Sequence, residues 1–489
     1  MKRRILAVTA AGLMVLGACG SSKTAEPAAT QAPAADATTV APAAPEATDP
    51  AAPEATEPAA PEATEPAAPE ATEPAAPAGE GGGLVGDKPA TAGEGCGLNN
   101  GKKAEGEPVK LGNVTTSVPG IDFSTGPAMM DAYFQCVNEN GGINGRPIQM
   151  LEENDNLKPE DAHAAAVKLI ETDKVVGMVG GFSILDCPVN ASYYEEKGYN
   201  TIVAGVPAEC FSSPAIAAVN MGPAYSTLGA AQIVVEKGAK KIVTITGKAP
   251  GSDYNGSLAG LYAKSLGLEW EDVQVDLPIA DPAATALDVV KRAGEGGAVV
   301  VVFTPPEGLK LLKGAEEQGL IDKVIWGSAT PLNDNSVAKA LGKPWAGKLN
   351  VNAELSLLDD PRPEMELYRE VSAKYNKDAP LGSFQQMGFM IGRVIVKTLI
   401  DMPPADLDDP AKVNAAIKGI NNFNTHIVCK AWYFGGLPGG NVPNNVDNNV
   451  VPDGTDVMKS DKTCFDIAEV EPVLKAARLA EKTQGLNVG

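Results

Sequence analysis

The chain has 489 residues, of which 62 are acidic and 40 are basic, giving a formal net charge of −22 at pH 7. This balance argues against nucleic acids and anionic lipid surfaces as partners, because both require a basic protein surface. The length exceeds one ordinary domain, and no stretch beyond residue 19 is long and apolar enough to span a bilayer.

The first 19 residues have the layout of an export signal. Basic residues at positions 2–4 precede an apolar run over residues 5–16, and residues 16–19 read Leu-Gly-Ala-Cys. This ending resembles a bacterial lipobox, in which the cysteine is acylated after cleavage. We therefore expect residues 1–19 to be a lipoprotein signal peptide, and lipidated Cys19 to anchor the protein to the outer side of the cell membrane. The alternative is an ordinary cleaved signal in which Cys19 occurs by chance.

Residues 20–107 form a predicted disordered linker rich in Pro, Ala and Glu. The motif Pro-Glu-Ala-Thr begins at residues 45, 53, 61 and 69, so the repeat is eight residues long. Such a composition cannot build a core, and regular prolines with repelling glutamates favour an extended, semi-rigid spacer. A ligand-binding repeat is the alternative, although nothing aromatic or basic interrupts the pattern.

From Val109 onward, short β-branched runs alternate with longer amphipathic segments, which is typical of βαβ units. The predicted strands are Val109–Thr115, Pro147–Glu152, Val175–Gly180, Asn200–Ala204, Lys241–Thr246, Asp272–Leu277, Ala298–Thr304, Lys323–Gly327 and Leu349–Ala353. The predicted helices are Pro127–Asn138, Pro159–Thr172, Tyr225–Glu236, Asp253–Ser265, Ala283–Ala293, Glu307–Gln318, Pro363–Tyr375 and Phe384–Ile400.

The predicted fold class is α/β, with two doubly wound, Rossmann-like lobes joined by a hinge of several crossovers. The strand at residues 298–303 is apolar on both faces, as a parallel sheet covered by helices requires. Because the pattern restarts after Gly222 and again after Ser356, each lobe should be built from two separate segments. These are residues 108–222 and 353–425 for the N-terminal lobe, and residues 223–352 and 426–489, including a C-terminal tail, for the C-terminal lobe.

Six cysteines remain after Cys19: Cys96, Cys136, Cys187, Cys210, Cys429 and Cys464. In an exported chain an even number indicates disulfides, although six cysteines allow about 15 connectivities. Pairing of sequence neighbours would give Cys96–Cys136, Cys187–Cys210 and Cys429–Cys464. No metal or other cofactor is expected, because CxxC and HExxH spacings do not occur and the only histidines are His163 and His426.

Several segments between Val109 and Phe434 resemble the periplasmic-binding-protein type I family, specifically the leucine/isoleucine/valine-binding group that serves ABC importers. The clearest is the loop at residues 138–147, which reads Asn-Glu-Asn-Gly-Gly-Ile-Asn-Gly-Arg-Pro and needs glycines for its sharp turn. The other matching segments are Glu153–Asp155 followed by Pro159–Leu169, Val176–Gly180, Tyr194–Gly198 and Ser252–Gly256. The resemblance implies a two-lobed clamp that closes on a small solute.

The ligand is expected beyond the carboxyl ends of the strands, where loops and helix N-termini converge. The residues proposed for ligand binding are Asp122, Phe123, Phe182, Ser183, Gly205, Val206, Tyr254, Thr304 and Ala329. In the family the loop at Ser183 carries a ligand-binding serine and the position of Tyr254 carries an aromatic that stacks on the ligand. The alternatives are a solvated turn at Asp122 and Phe123, a plain turn serine at Ser183, and a Tyr254 that packs between the lobes.

One expected family feature is missing. The family supplies a carboxylate for the ligand's ammonium in a glycine-x-glutamate pattern, whereas this chain has Gly-Ser-Ala-Thr at residues 327–330. An ordinary amino acid is therefore in doubt as the ligand, unless another acid pairs with the ammonium, since an unpaired buried charge is costly. The acids that could substitute are Asp122, Asp186, Glu307 and Asp334.

These observations predict a monomeric solute-binding protein that hands a small polar ligand, an amino acid or a related amide or carboxylate, to an ABC permease. An enzyme is not expected, because GxSxG, GxxxxGK[ST] and paired-histidine motifs are absent from the sequence. The alternatives left open are a ligand sensor and a cell-surface lipoprotein that uses the same fold without transport.

Overall fold

The computed structural model describes residues 95–437 and 440–486. The predicted signal peptide, Cys19 and residues 20–94 of the predicted linker lie outside the described residues. Within the part of the chain that is described, none of the helices is both long enough and apolar enough to cross a membrane.

The described residues contain two separate, mainly parallel sheets. The first has five strands in the order β4-β1-β5-β6-β7, all paired in parallel, and a small antiparallel hairpin of β2 and β3 lies beside it. Its elements are β1 Val109–Thr115, β2 Ser117–Val118, β3 Ile121–Asp122, β4 Ile148–Asn154, β5 Gly177–Gly181, β6 Thr201–Val203 and β7 Ile216–Ala218.

The second sheet has seven strands in the order β14-β13-β12-β11-β10-β8-β9. The strands β8 to β12 pair in parallel, whereas β13 and β14 are antiparallel additions at one edge. Their bounds are β8 Lys241–Gly247, β9 Glu269–Val275, β10 Ala298–Val302, β11 Ile325–Ser328, β12 Leu349–Ala353, β13 Val446–Pro452 and β14 Met458–Asp466.

Helices cover the two sheets, as the apolar strands require. They are α1 Thr125–Glu139, α2 Pro159–Val167, α3 Asp186–Lys197, α4 Gly222–Glu236, α5 Ser257–Ser265, α6 Pro282–Ala293, α7 Pro305–Glu317, α8 Asn335–Leu341, α9 Pro363–Tyr375, α10 Ser383–Asp401, α11 Pro410–Lys418 and α12 Pro472–Gln484. Side chains of α9, α10 and α11 belong to the same apolar core as the first sheet. The two-lobed α/β architecture expected from the sequence is thus present.

The chain crosses between the sheets three times: after β7, after β12 and before β13. We call these crossing segments, residues 219–222, 353–356 and 444–448, the hinge. The side chain of Asn444 donates to the carbonyls of Val219 (3.3 Å) and Glu354 (3.0 Å), so one residue of the third crossing bonds both of the others. The domain limits given above at residues 222, 352 and 425 remain a proposal.

Most predicted elements are present with small shifts, but two regions differ. The predicted helix Asp253–Ser265 is instead a short 3-10 turn, Ser252–Tyr254, followed by α5, and Gly256 between them lies close to the side chains of Thr244 and Asp272. Sequence patterns also missed β2, β3, β7, β13, β14, α8, α11 and α12, and gave no bounds for α3. In β13 the buried residues include Asp447, Asn448 and Asn449, so the strand lacks the apolar pattern on which strand prediction relies.

The three disulfides are Cys96–Cys136, Cys187–Cys210 and Cys429–Cys464, which is the pairing of sequence neighbours. The first one corrects the predicted linker boundary at residue 107. Cys96 is bonded to α1, and the amide of Ala104 donates to Asn138 O at 2.8 Å, so the end of that segment is part of the fold. A disulfide that closes a loop of this size stabilises by roughly 3–4 kcal/mol in the chain-entropy model.

Helices α1 and α10 pack across a glycine contact. A Cβ atom added at Gly388 would overlap the backbone of Gly126, so the two helices approach as closely as their backbones allow. This contact fixes α10 against α1, the helix that follows the β2-β3 hairpin.

We predict that Gly388→Ala lowers the free energy of unfolding by about 1–3 kcal/mol, because the new methyl meets immovable backbone. The matched control is Gly177→Ala on β5, where a Cβ would make ordinary 3.4 Å contacts with Ile417 and Leu111 and should change stability little. Urea denaturation of both variants measures the difference. Equal effects at the two positions would show that the helices do not pack this closely.

Candidate functional site

A cavity of about 90 Å³ lies where the carboxyl ends of the two sheets face each other. From the first lobe it is lined by the β3 region and by loops after β5 and β6, and from the second by loops after β8, β9, β10 and β11. The side chains that dominate its wall are apolar: Phe123, Ile184, Val206, Leu277, Phe303 and Pro331. Loops at the carboxyl ends of parallel strands are the usual ligand position in such folds.

A second cavity of about 210 Å³ adjoins the first and shares Gly120, Thr304 and Pro331 with it. Its wall contains Asp122 from the first lobe and both Glu307 and Asp334 from the second. We call the two together the cleft, with an apolar chamber and an acidic chamber. No Lys, Arg or His is among the described residues that line either chamber.

The structure brings some of the proposed ligand-binding residues to this cleft and leaves others outside it. Phe123, Val206 and Thr304 line the apolar chamber, and Asp122 and Thr304 line the acidic one. The remaining five proposed residues line neither chamber: Phe182, Ser183, Gly205, Tyr254 and Ala329. Ligand contact by any of these nine residues stays a prediction.

The hydrogen-bonding capacity of the Ser183 hydroxyl is filled by Asp155, which follows β4, and by two amides of its own loop. Its hydroxyl donates to Asp155 Oδ2 at 2.5 Å and accepts from the amides of Leu185 (2.9 Å) and Asp186 (2.8 Å). The hydroxyl therefore shapes the turn into α3, which was the alternative weighed for this residue.

Tyr254 packs against an apolar cluster with residues from both lobes, and packing between the lobes was the alternative weighed for it. It packs there with Phe211, Tyr225 and Leu258, and Tyr225 donates to Glu471 Oε1 at 2.6 Å. Burial, followed by the nearby Glu471 charge, raises the pKa of Tyr254 to about 12. The phenol thus stays neutral and structural.

Asp186, one of the acids considered for the ligand's ammonium, is also outside the cleft lining. It accepts hydrogen bonds from the Tyr194 hydroxyl at 2.6 Å and from Asn190 Nδ2 at 2.8 Å. Burial raises the pKa of Asp186 to about 6. The other three acids considered, Asp122, Glu307 and Asp334, are the ones that meet in the acidic chamber.

The sequence reasoning missed several residues of the apolar chamber. Ile184, Leu277, Phe303 and Pro331 each lie at or just after the carboxyl end of a strand. That position was a usable signal for all four residues.

The hinge contains two buried carboxyl groups without a basic partner among the described residues. Glu354 Oε2 accepts from the Met221 amide at 2.6 Å, and Asp447 accepts from the side chain of Asn352. Burial raises the pKa of Glu354 to about 7, against the lowering effect of the Met221 amide. Burial also raises the pKa of Asp447 well above its usual value, and the Glu354 charge adds to this.

No group of three or more His, Cys, Asp or Glu side chains within the described ranges is arranged to hold a metal ion.

A family model described as a periplasmic binding protein matches residues 108–441. Among solved structures, a branched chain amino acid ABC transporter from Thermus thermophilus with bound valine has a TM-score of 0.65 at 16% identity, covering 76% of this chain and 99% of that one. A fatty acid ABC transporter substrate-binding protein from Thermomonospora curvata has a TM-score of 0.63 at 16% identity, covering 76% and 95% of the two chains. At these identities the two structures share the fold with this chain.

One curated relative is an amino acid binding protein of Pseudomonas aeruginosa, which is 28% identical over 102 residues. The match covers 19% of this chain and 27% of the relative, so the chain spans about a quarter of that protein's length.

The buried carboxyl groups of the hinge predict that the stability of the protein depends on pH. Because the folded-state pKa of Glu354 is raised to about 7 from 4.5, the folded protein holds this proton more tightly than the unfolded chain does. The contribution of Glu354 to the stability of the folded protein is therefore favourable below about pH 4.5 and is lost as the pH rises toward 7. The Glu354→Gln side chain cannot ionise. Between pH 4.5 and 8 we therefore expect the free energy of unfolding of this variant to rise by roughly 1–3 kcal/mol relative to that of the parent.

Urea unfolding at several pH values measures this difference, with the exposed Glu295→Gln as the control. Parallel pH profiles for the parent and the Glu354→Gln variant would contradict a buried, proton-binding Glu354.

Proposed function

Because the chain belongs to the periplasmic binding protein family, we propose that it is a lipid-anchored solute-binding protein that captures a small ligand in the cleft and delivers it to an ABC importer. The family and the structural neighbours are solute-binding proteins and not enzymes, and the family implies an extracytoplasmic location. The observation that carries the proposal is the cleft itself, which is walled by strand-end loops of both lobes.

Capture requires the lobes to close on the ligand and release requires them to separate. Two of the backbone hydrogen bonds that join the lobes lie at the starts of α8 and α10: Asn335 N to Leu381 O and Ser383 N to Asn333 O, both at 3.0 Å. They lie next to the acidic chamber, whose wall includes Asp334 and Ser383. In the proposed cycle they form on closure and break when the ligand leaves.

The names of the neighbours suggest an amino acid or a carboxylate as ligand, in agreement with the expectation from sequence. The apolar wall formed by Phe123, Val206 and Phe303 also favours a ligand with a substantial hydrocarbon part. Each buried CH2 group would contribute about 0.8 kcal/mol to binding.

Lipid anchoring through Cys19 and the spacer formed by residues 20–94 complete the proposal. A spacer of Pro-rich repeats advances about 3.1 Å per residue where it is extended. It would hold the binding domain away from the membrane while leaving it within reach of a permease.

We predict that Cys19→Ser prevents acylation and moves the full-length protein, expressed in a bacterium, from the membrane fraction to the soluble extracytoplasmic fraction. A single acyl chain binds membranes weakly and lipoproteins carry more than one, so the shift should be nearly complete. Fractionation and the mass of the N-terminal peptide measure it, and Ser21→Ala is the neighbouring control. Membrane retention of an unacylated Cys19→Ser protein would contradict the anchor.

We predict that a ligand of the cleft raises the melting temperature of the full-length protein, and that Val206→Trp removes this increase by filling the apolar chamber. A thermal-shift panel of amino acids, amides, amines and carboxylates finds the ligand. The control is Leu479→Trp, which adds the same side chain at a position that is 63% exposed on α12. A shift that survives in Val206→Trp would place the ligand elsewhere.

A further inference from the structure

A third cavity, of about 290 Å³, lies at the hinge. Its wall includes Ser356 of the second crossing segment and Asn448 of the third, and it shares no lining residue with either chamber of the cleft. We call it the hinge cavity. Its volume far exceeds what one water molecule needs, so it has room for a small solute.

The walls of the hinge cavity come from both lobes. One wall is the loop at residues 424–431, in which Val428 belongs to the same apolar core as the first sheet. The other wall contains Thr463 of β14, a strand of the second sheet. The disulfide Cys429–Cys464 joins these two walls covalently. A solute in the cavity would therefore lie between segments of both lobes.

Arg362, just before α9, offers a guanidinium group to the hinge cavity. Its Nε and Nη2 atoms donate to Asp360 Oδ2 at 2.9 and 2.6 Å, and Nη2 also donates to Ser356 Oγ at 2.9 Å. Nη1 has no hydrogen-bond partner among residues 95–437 and 440–486. The ion pair with Asp360 thus fixes the plane of the guanidinium and leaves Nη1 free to donate to a ligand.

His426 lies close to this guanidinium, and Ser356 positions both groups. The Ser356 hydroxyl donates to the His426 carbonyl at 2.7 Å and accepts from Arg362. The two ring nitrogens of His426 make no hydrogen bond within the part of the chain that is described. The imidazole is therefore a second free donor in the cavity wall.

Two further donors of the same loop are weakly engaged. Lys430 Nζ is 3.5 Å from Asn445 Oδ1 and 3.6 Å from Asp466 Oδ1, so neither contact is a strong hydrogen bond. The Asn424 side chain accepts from the His426 amide through Oδ1, which leaves its Nδ2 without a partner in the described residues. Four donor groups with spare capacity thus line one cavity.

The charge of the hinge cavity is opposite to that of the acidic chamber. Its lining contains Arg362, Lys430 and His426 and, among the described residues, the single acid Asp360. Although burial acts to raise the pKa of Asp360, hydrogen bonds from Arg362 hold it below its usual value, so this acid is ionised and balances one cation. The remaining excess is positive, in a chain whose formal net charge is −22. Free donors and local positive charge together favour an anion.

We infer that the hinge cavity is a second ligand site, which binds a small oxyanion such as a sulfate, phosphate or carboxylate group through Arg362, His426 and Lys430. An oxyanion accepts several hydrogen bonds at once, whereas an apolar solute would leave these donors unpaired. The Asn424 amide and the Thr463 hydroxyl add neutral donors from the two walls. The site is independent of what the cleft binds.

The affinity for an oxyanion should rise as the pH falls. Burial, and then the charge of Arg362, lowers the pKa of His426, so its ring is neutral at neutral pH and takes up a proton in acid. The other titratable groups of the cavity are Asp360, Arg362 and Lys430, and the wall from β13 and β14 adds none because Cys464 is in a disulfide. A bound oxyanion favours the protonated ring and should therefore raise the pKa of His426.

The test uses sulfate, whose charge is the same in mild acid and at neutral pH. Sulfate replaces chloride at constant ionic strength, so that general screening does not change. The chain has only two histidines, so NMR of the untagged full-length protein with labelled histidine gives one signal in the site and one internal control. Sulfate should shift the ring signals of His426 and leave those of His163, whose Nδ1 lies 2.9 Å from Asn190 Oδ1, unchanged.

Lys430→Gln and His426→Asn should each weaken sulfate binding in mild acid about tenfold, which corresponds to the loss of one charged hydrogen bond. His426→Asn should also remove the pH dependence. Asparagine tolerates the positive φ of 53° at position 426, so this variant should fold. The control is Lys264→Gln, which removes a positive charge from the exposed surface of α5. Isothermal titration measures the affinities.

An equal loss of affinity in Lys264→Gln would overturn the second site, because binding would then depend on net charge alone. The absence of a His426 shift, or an equal shift of His163, would also overturn it. A sulfate effect that Val206→Trp abolishes would place the anion in the cleft instead. None of these results bears on the proposed function, which the cleft carries.

Discussion

The parallel direction of the strands is the constraint on which the site depends. In each sheet the parallel strands place their carboxyl ends at one edge, and the loops that leave this edge cannot avoid lying side by side. Because the two edges face each other, loops distant in sequence, such as those at Phe123, Val206 and Phe303, form one wall. The apolar chamber therefore follows first from the topology of the sheets and only second from particular side chains.

The hinge meets a second requirement. The backbone N–H and C=O groups of its three buried crossing segments all need hydrogen-bond partners. The chain meets this requirement with side chains as well as with the pairing of β12 and β13. Asn444 bonds two crossings, and Asn448 donates to the carbonyls of Ala353 (3.0 Å) and Leu355 (3.2 Å). Amides suit this role because they both donate and accept and carry no charge that burial would penalise. The carboxyls of Glu354 and Asp447 are the exception, and their raised pKa values are the result of it.

Sequence patterns located the elements whose buried residues are apolar and regularly spaced, and failed where the buried residues are polar. The strands β1 and β12 and the helix α9 have the predicted bounds, because their apolar residues follow the period of a strand or helix. The strand β13 was missed because its buried face is made of Asn and Asp. At the site the same bias applied: Ser183 and Tyr254 were chosen for their chemistry, yet the first completes a turn and the second packs in a core. Which acids line the same chamber could not be read from sequence either, since Asp122 and Asp334 belong to different lobes.

The distribution of proline shows how one fold can hold chemically different solutes. The backbone of this chain follows that of a valine-bound transporter protein at 16% identity, so the loop positions are shared while most side chains differ. A proline at such a position alters the site in two ways, because it removes an N–H donor and adds apolar surface. At Pro305 and Pro306 both changes occur at the start of α7, in the wall of the acidic chamber.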